Sequence, residues 1–149
     1  MRLILTSALL VKTVMIVVIA QGDLPPVSEN CLKCICDTVT GCDPNFGCID
    51  GYVCGPFRIT KPYWIDGGNN TINGEAIDSP TAFENCVTDY NCAVQTVQGY
   101  MANWGQDCNG DGVINCYDHG AIHQLGRYGC NGQLPEKFLN TFSQCHGQA

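Results

Sequence analysis

The sequence predicts an α+β fold of short helices around a small antiparallel sheet, held together by disulfides. Three observations predict it. Twelve cysteines, an even number, all lie beyond residue 30 of the 149-residue chain. Short runs rich in β-branched and aromatic residues alternate with turn signals between residues 43 and 60. The apolar 3.6-residue repeat of a helix is confined to short segments, the clearest being Ala93 to Trp104.

The first twenty residues read as a secretory signal peptide. Arg2 supplies the positive start. Leu3 to Ala20 is apolar apart from Thr6, Ser7, Lys12 and Thr13, and Val18 and Ala20 stand at −3 and −1 of a cleavage site. A membrane anchor is the competing reading, but Lys12 leaves the run short of the roughly 18–20 apolar residues of a span. No later run is apolar enough to cross a bilayer. Residues 21–149 then form one domain outside the cell.

Cysteine density after a leader implies six disulfides in an oxidising compartment. The residues are Cys31, Cys34, Cys36, Cys42, Cys48, Cys54, Cys86, Cys92, Cys108, Cys116, Cys130 and Cys145. A zinc site at Cys31 and Cys34 lacks a second pair at finger-like spacing. The shared spacing of six favours Cys36–Cys42, Cys48–Cys54 and Cys86–Cys92 as local bridges. The other pairings stay open.

Pro25 and Pro26 make residues 21–30 an extended lead-in. Ser28 or Asn30 then caps a helix through Cys31–Cys36, ended by Thr40-Gly41. Asp43-Pro44-Asn45 and Asp50-Gly51 mark turns, and Tyr52–Cys54 and Phe57–Thr60 are strand candidates. Phe57 to Gly68 is an aromatic, turn-rich segment. Residues 67–77 form a polar loop with a glycosylation sequon at Asn69. Asp78-Ser79-Pro80 opens a helix through Val87. Tyr90-Asn91 breaks it, and Ala93, Val94, Val97, Tyr100, Met101 and Trp104 form the buried stripe of the next. Tyr117 to Leu125 is a short helix stopped by Gly126. Leu134-Pro135 opens a last helix carrying Phe138, Leu139 and Phe142.

Charge narrows the function. Loss of the leader removes Arg2 and Lys12, so the formal charge falls from −7 to −9. Only Lys33, Arg58, Lys61, Arg127 and Lys137 remain positive. Such a chain is repelled by nucleic acid. Long-range steering towards anionic bacterial surfaces is also opposed, within the limit that salt screens charges beyond about 8–10 Å.

The pattern C-x-x-C-x-C from Cys31, then Gly41-Cys42, Gly47-Cys48, Cys54-Gly55-x-Phe57-x-Ile59 and Pro62-Tyr63-Trp64-x-Asp66, resembles the invertebrate-type (i-type) lysozymes, also called destabilase-like. Asn85 to Met101, Ile122-His123 and Tyr128 to Cys130 agree, so the resemblance covers about residues 31–145. It implies a lysozyme-like α+β fold with one groove and a glycoside hydrolase ancestry acting on bacterial peptidoglycan, in defence or digestion. It places Tyr63, Trp64 and His123 beside the substrate groove. Core packing is the competing reading for the aromatics.

Glycoside hydrolysis needs a proton-donating carboxylic acid and a second carboxylate, about 5–5.5 Å apart when configuration is retained. The family's donor glutamate falls on Val39, which has no proton to give, and the serine after it on Thr40. The second carboxylate falls near Asp50, which is alternatively a turn residue beside Gly51. Asp37 lies about 200° round the helix from position 39. Loss of a positioned acid costs on the order of 10²–10⁴ in rate, so muramidase activity is expected to be weak or lost. A non-catalytic binder of wall sugar and an isopeptidase using His123 with Ser79 or Ser143 are the alternatives. The family's paired cysteines at positions 67 and 96 are here Gly67 and Thr96, which places those two residues close together.

No cofactor is required by this chemistry. Calcium is the metal the sequence offers: Asp107, Asn109, Asp111, Asn115 and Asp118 follow the spacing of an EF-hand-like loop, with Gly112 at the sharp turn. Cys108 and Cys116 inside the loop, and Asp in place of Glu at its end, oppose that reading. A turn-rich polar loop is the alternative. His119 and His123, four apart on a helix, lack a third ligand.

Overall fold

The computed structural model describes residues 24–147, so the signal-peptide reading of residues 1–20 lies outside the described residues. Six helices and three two-residue strands follow in the order α1 (Glu29–Thr40), β1 (Cys48–Ile49), β2 (Val53–Cys54), β3 (Ile59–Thr60), α2 (Lys61–Asp66), α3 (Ala82–Thr88), α4 (Tyr90–Trp104), α5 (Cys116–Leu125) and α6 (Glu136–His146). Among the described residues no helix is long and apolar enough to cross a membrane.

Helix α1 starts because Ser28 accepts a hydrogen bond from the Cys31 N–H, and it stops at Gly41, whose φ of 71° is open to glycine. Its inner face buries Cys31, Leu32, Cys34, Ile35 and Cys36. α1 packs on α5 and α6. Cys31–Cys116 and Cys34–Cys145 bolt those contacts. Cys36–Cys42, Cys48–Cys54 and Cys86–Cys92 are the three local bridges expected from spacing, and Cys108–Cys130 completes the set. Every cysteine is thereby consumed.

The sheet is an antiparallel meander in the order β1-β2-β3. Cys48 pairs with Cys54 and Ile49 with Val53, then Val53 with Thr60 and Cys54 with Ile59. The β2–β3 loop turns Phe57 fully inward. Its Pro56 carbonyl accepts the Thr40 hydroxyl at 2.6 Å, which ties the sheet to the end of α1. Gly55 lies so close to the Val87 carbonyl that no side chain fits.

Three elements differ from expectation. The aromatic segment contains a helix, α2, capped by Thr60 with Pro62 near its start, where a missing N–H costs nothing. Helix α3 begins at Ala82 rather than at Asp78-Ser79-Pro80. The Ser79 and Thr81 hydroxyls bond the Glu75 carboxylate at 2.6 Å instead of capping a helix. Helix α4 begins at Tyr90 because Asp89, not Tyr90-Asn91, forms the break and caps it through the Cys92 N–H. Of the expected α4 stripe, Ala93, Val97, Tyr100 and Met101 are buried, whereas Trp104 is exposed under the Arg127 guanidinium.

Gly67 and Thr96 do meet. A Cβ on Gly67 would stand 2.5 Å from the Thr96 carbonyl oxygen, and Gly99 abuts the Gly67 carbonyl. Asn70 Nδ2 bridges the Gly67 carbonyl and the Thr96 hydroxyl. Helices α2 and α4 have closed over the place where a cross-link would stand.

Candidate functional site

An open cleft of about 420 Å³ lies between α1, the sheet, α5 and the start of α6. Val39, Val53, Pro135 and Phe138 form its apolar walls, and Thr38, Thr60, Gln124, Arg58, Lys137 and His123 its polar ones. Among the described residues no aspartate or glutamate lines it. Val39 packs partly against the core, so the position where the resemblance puts a donor contributes only hydrocarbon to the cleft.

Asp50 stands elsewhere. It occupies the β1–β2 turn with φ 52°, beside Gly51 at φ 67°, and the Tyr52 N–H bonds the Ile49 carbonyl at 2.9 Å. Two successive positive φ angles are the signature of a type I′ hairpin turn, for which Asp-Gly is a preferred pair. Asp50 is exposed and is not among the cleft-lining residues. Asp37 pairs with Lys33 along the outer side of α1 and faces a different depression.

His123 is fixed at both ring nitrogens. Nε2 lies 2.8 Å from the Phe57 carbonyl and Nδ1 3.1 Å from the Tyr63 hydroxyl. A carbonyl only accepts, so Nε2 carries the proton and Nδ1 accepts from the tyrosine. Burial holds the imidazole down at about 4, against a smaller upward pull from the Phe57 carbonyl. At neutral pH it is an uncharged strut between the β2–β3 loop, α2 and α5. Neither nitrogen is left to activate a nucleophile, and the Ser79 hydroxyl is held by Glu75.

The aromatics expected beside the groove point inward. Trp64 is 2% exposed, donates Nε1–H to the Asn70 carbonyl at 2.7 Å and meets Phe83 edge-on. Tyr63 stacks on Tyr100 with centroids 3.8 Å apart, and burial raises its hydroxyl well above the usual tyrosine range. Neither lines the cleft, because the α2 helix turns both rings towards α3 and α4. The ring in the cleft is Phe138, from a helix remote in sequence. Arg58, Lys137 and Gln124 also escaped the sequence reading. Only their place in the fold brings them together, and the sequence carried them as scattered surface charge and polarity.

The residues 107–118 form a self-satisfied loop. Asp107 accepts from the N–H groups of Gly110, Asp111 and Gly112, and Asp111 from that of Val113. Asn109 accepts from the Asp111 N–H. Asp118 is fully buried, with one oxygen on the Cys108 N–H and the other on the Asn115 N–H. Asn115 in turn caps α5, so the pair is a capping box. Among the described residues no three His, Cys, Asp or Glu side chains gather as a metal site. His119 and His123 likewise share no third ligand there.

The Destabilase family model matches residues 28–145. The chain belongs to the Destabilase family. A lysozyme from Magallana gigas is 35% identical over 109 residues, covering 70% of this chain and 69% of that one. Invertebrate-type lysozyme 3 of Caenorhabditis elegans is 32% identical over 124 residues, covering 80% and 87%. Among solved structures, Meretrix lusoria lysozyme in complex with Aeromonas hydrophila PliI aligns with a TM-score of 0.65 and 29% identity, covering 81% of this chain and 94% of that one. This Destabilase-family chain is therefore an invertebrate-type lysozyme homologue with the lysozyme-like α+β fold expected of it.

Proposed function

We propose that the protein is a secreted lysozyme homologue that binds peptidoglycan or a related amino-sugar polymer without cleaving it at an ordinary rate. One observation carries this reading: among the described residues, the cleft beside Val39 has no carboxyl group on its walls. Hydrolysis through an oxocarbenium-like transition state needs an acid to protonate the leaving oxygen and a carboxylate to oppose the positive charge. Val39 supplies neither, and the Asp50 turn points the nearest sequence candidate for the second role into solvent. The six disulfides fit life outside the cell.

The apolar faces of Val39, Val53 and Phe138 beside amide, hydroxyl and cationic groups suit a sugar ring, which has one apolar face and a polar rim. The test runs two assays on one preparation. Insoluble peptidoglycan should retain the protein in a pull-down, while a cell-wall suspension should keep its turbidity. Clearing at ordinary lysozyme rates would refute the loss of activity. Failure of retention would refute the binder.

A further inference from the structure

The cleft carries the wrong charge for its chain. The sequence holds fourteen acidic side chains against seven Lys and Arg, yet Arg58 and Lys137 both line the cleft and no acidic residue does. Among the described residues neither forms an ion pair; the pairs there are Lys33–Asp37 and Arg127–Asp66. Two unpaired cations brought to one concavity of an acidic protein focus a local positive potential that the chain as a whole opposes.

Both cations sit where stability alone does not put them. Arg58 closes the β2–β3 turn with φ 52°, a region that a residue with a side chain enters at a cost. Its guanidinium lies 5.9 Å from the centroid of the Phe46 ring, which steadies one face and leaves the donors free. Lys137 stands in the first turn of α6, where the helix dipole repels a cation. Around them Gln124 and Thr60 add neutral polar groups, and Phe138 an apolar face.

We infer that Arg58 and Lys137 make the cleft a receptor for a carboxylate-bearing saccharide. The planar guanidinium takes a carboxylate through two parallel hydrogen bonds, the ammonium supplies a second positive charge, and Phe138 covers the apolar face of the ring. A glutamate at position 39 would meet that carboxylate with a like charge; Val39 does not. The inference rests on the reading of the cleft as a sugar site and names which sugars it selects. Carboxylates of that kind occur on peptidoglycan, through its stem peptides and through lactyl groups that carry no peptide, and on uronic-acid polysaccharides.

The test uses the secreted, oxidised chain and its Arg58→Gln/Lys137→Gln double variant, with Lys137→Gln alone as a milder change. Unaltered melting temperatures confirm that the variants fold, as expected for two exposed side chains. The probes are a galacturonate tetramer, a neutral N-acetylglucosamine tetramer, and insoluble peptidoglycan before and after amidation of its carboxyl groups. The galacturonate tetramer should bind by calorimetry, weaken with added salt, and lose at least about tenfold in affinity in the double variant, with a smaller loss in the single one. The neutral tetramer should bind less tightly and respond to neither substitution. Amidation should release the protein from peptidoglycan.

If galacturonate binds in this way but peptidoglycan does not, the receptor stands, its source is a uronic polysaccharide, and the peptidoglycan reading falls. If peptidoglycan is retained equally after amidation and by the double variant, the cell-wall reading stands and the carboxylate receptor is overturned. Equal affinity for both tetramers, unchanged in the variants, overturns it as well. If no probe binds, both readings fall.

Discussion

A glutamate put back at position 39 would enter a cleft walled by Arg58 and Lys137. Cations hold a carboxyl group in its ionised form, whereas a general acid must keep its proton near neutral pH. Val39→Glu is therefore expected to clear a cell-wall suspension no faster than the parent protein; clearing at lysozyme rates would show that a donor alone was missing. His123 offers a second test. Its folded pKa of about 4 lies below the ordinary 6.5, so between those values the unfolded chain binds the extra proton and the folded chain does not. Stability is complete above pH 6.5 and declines as pH falls towards 4, by on the order of 2–3 kcal/mol. Burial lowers His119 too, with the same sign. Urea midpoints at pH 7, 5.5 and 4 should follow this slope, and His123→Gln, which cannot titrate, should flatten it. The sequence displayed Val39 as an absence at a motif position. It showed nothing of the His123 tautomer, because Phe57 and Tyr63 lie 66 and 60 residues away.

At the level of elements, the α2–α4 contact depends on the absence of side chains. A Cβ on Gly67 would stand 2.5 Å from the Thr96 carbonyl oxygen, 3.0 Å from the Thr96 methyl and 3.2 Å from the Tyr63 carbonyl oxygen, and the two main-chain oxygens cannot swing aside. Gly67→Ala should destabilise the protein by about 1–3 kcal/mol, read from denaturant unfolding, with the loss carried by the separation of these helices. The family resemblance and the paired loss of two cysteines predicted that these residues meet, but not that the backbones close up. Asp118 is the corresponding anchor for α5. Asp118→Ala removes half of a capping box and leaves the Cys108 N–H without its buried acceptor, at a cost of about 2 kcal/mol. That loss should appear equally with calcium or with chelator in the melting buffer. A large calcium-dependent gain in the parent's melting temperature would support the cation-loop reading instead. The acidic spacing of residues 107–118 was legible in the sequence. What it was for was not, since a carboxylate that closes on main-chain N–H groups and one that waits for a cation share the same pattern.

The whole molecule is small and is tied end to end. Cys34–Cys145 spans 111 residues and Cys31–Cys116 spans 85, so α1 is joined to both C-terminal helices. Cross-links over loops of this length restrict the unfolded chain most, by about 4–5 kcal/mol each in the chain-entropy account. The paired change Cys34→Ala/Cys145→Ala should cost about 2–5 kcal/mol and free α6 first, seen as early proteolysis near Phe138–Phe142. The cleft would suffer with it, because Lys137 and Phe138 reach the site only while α6 rests on α1.

The sequence by itself determined the disulfide-rich style of the fold, the local bridges, the helix stop at Gly126, and the hydrocarbon at position 39. Those features are set by spacing and by residue chemistry within a few positions. Only the tertiary structure decided that Trp64 is core, that Asp50 is a turn, and that Arg58 and Lys137 share one acid-free cleft. Each is an outcome of which faces pack together, and two cations 79 residues apart in the chain come to line one cleft only when α6 packs on α1.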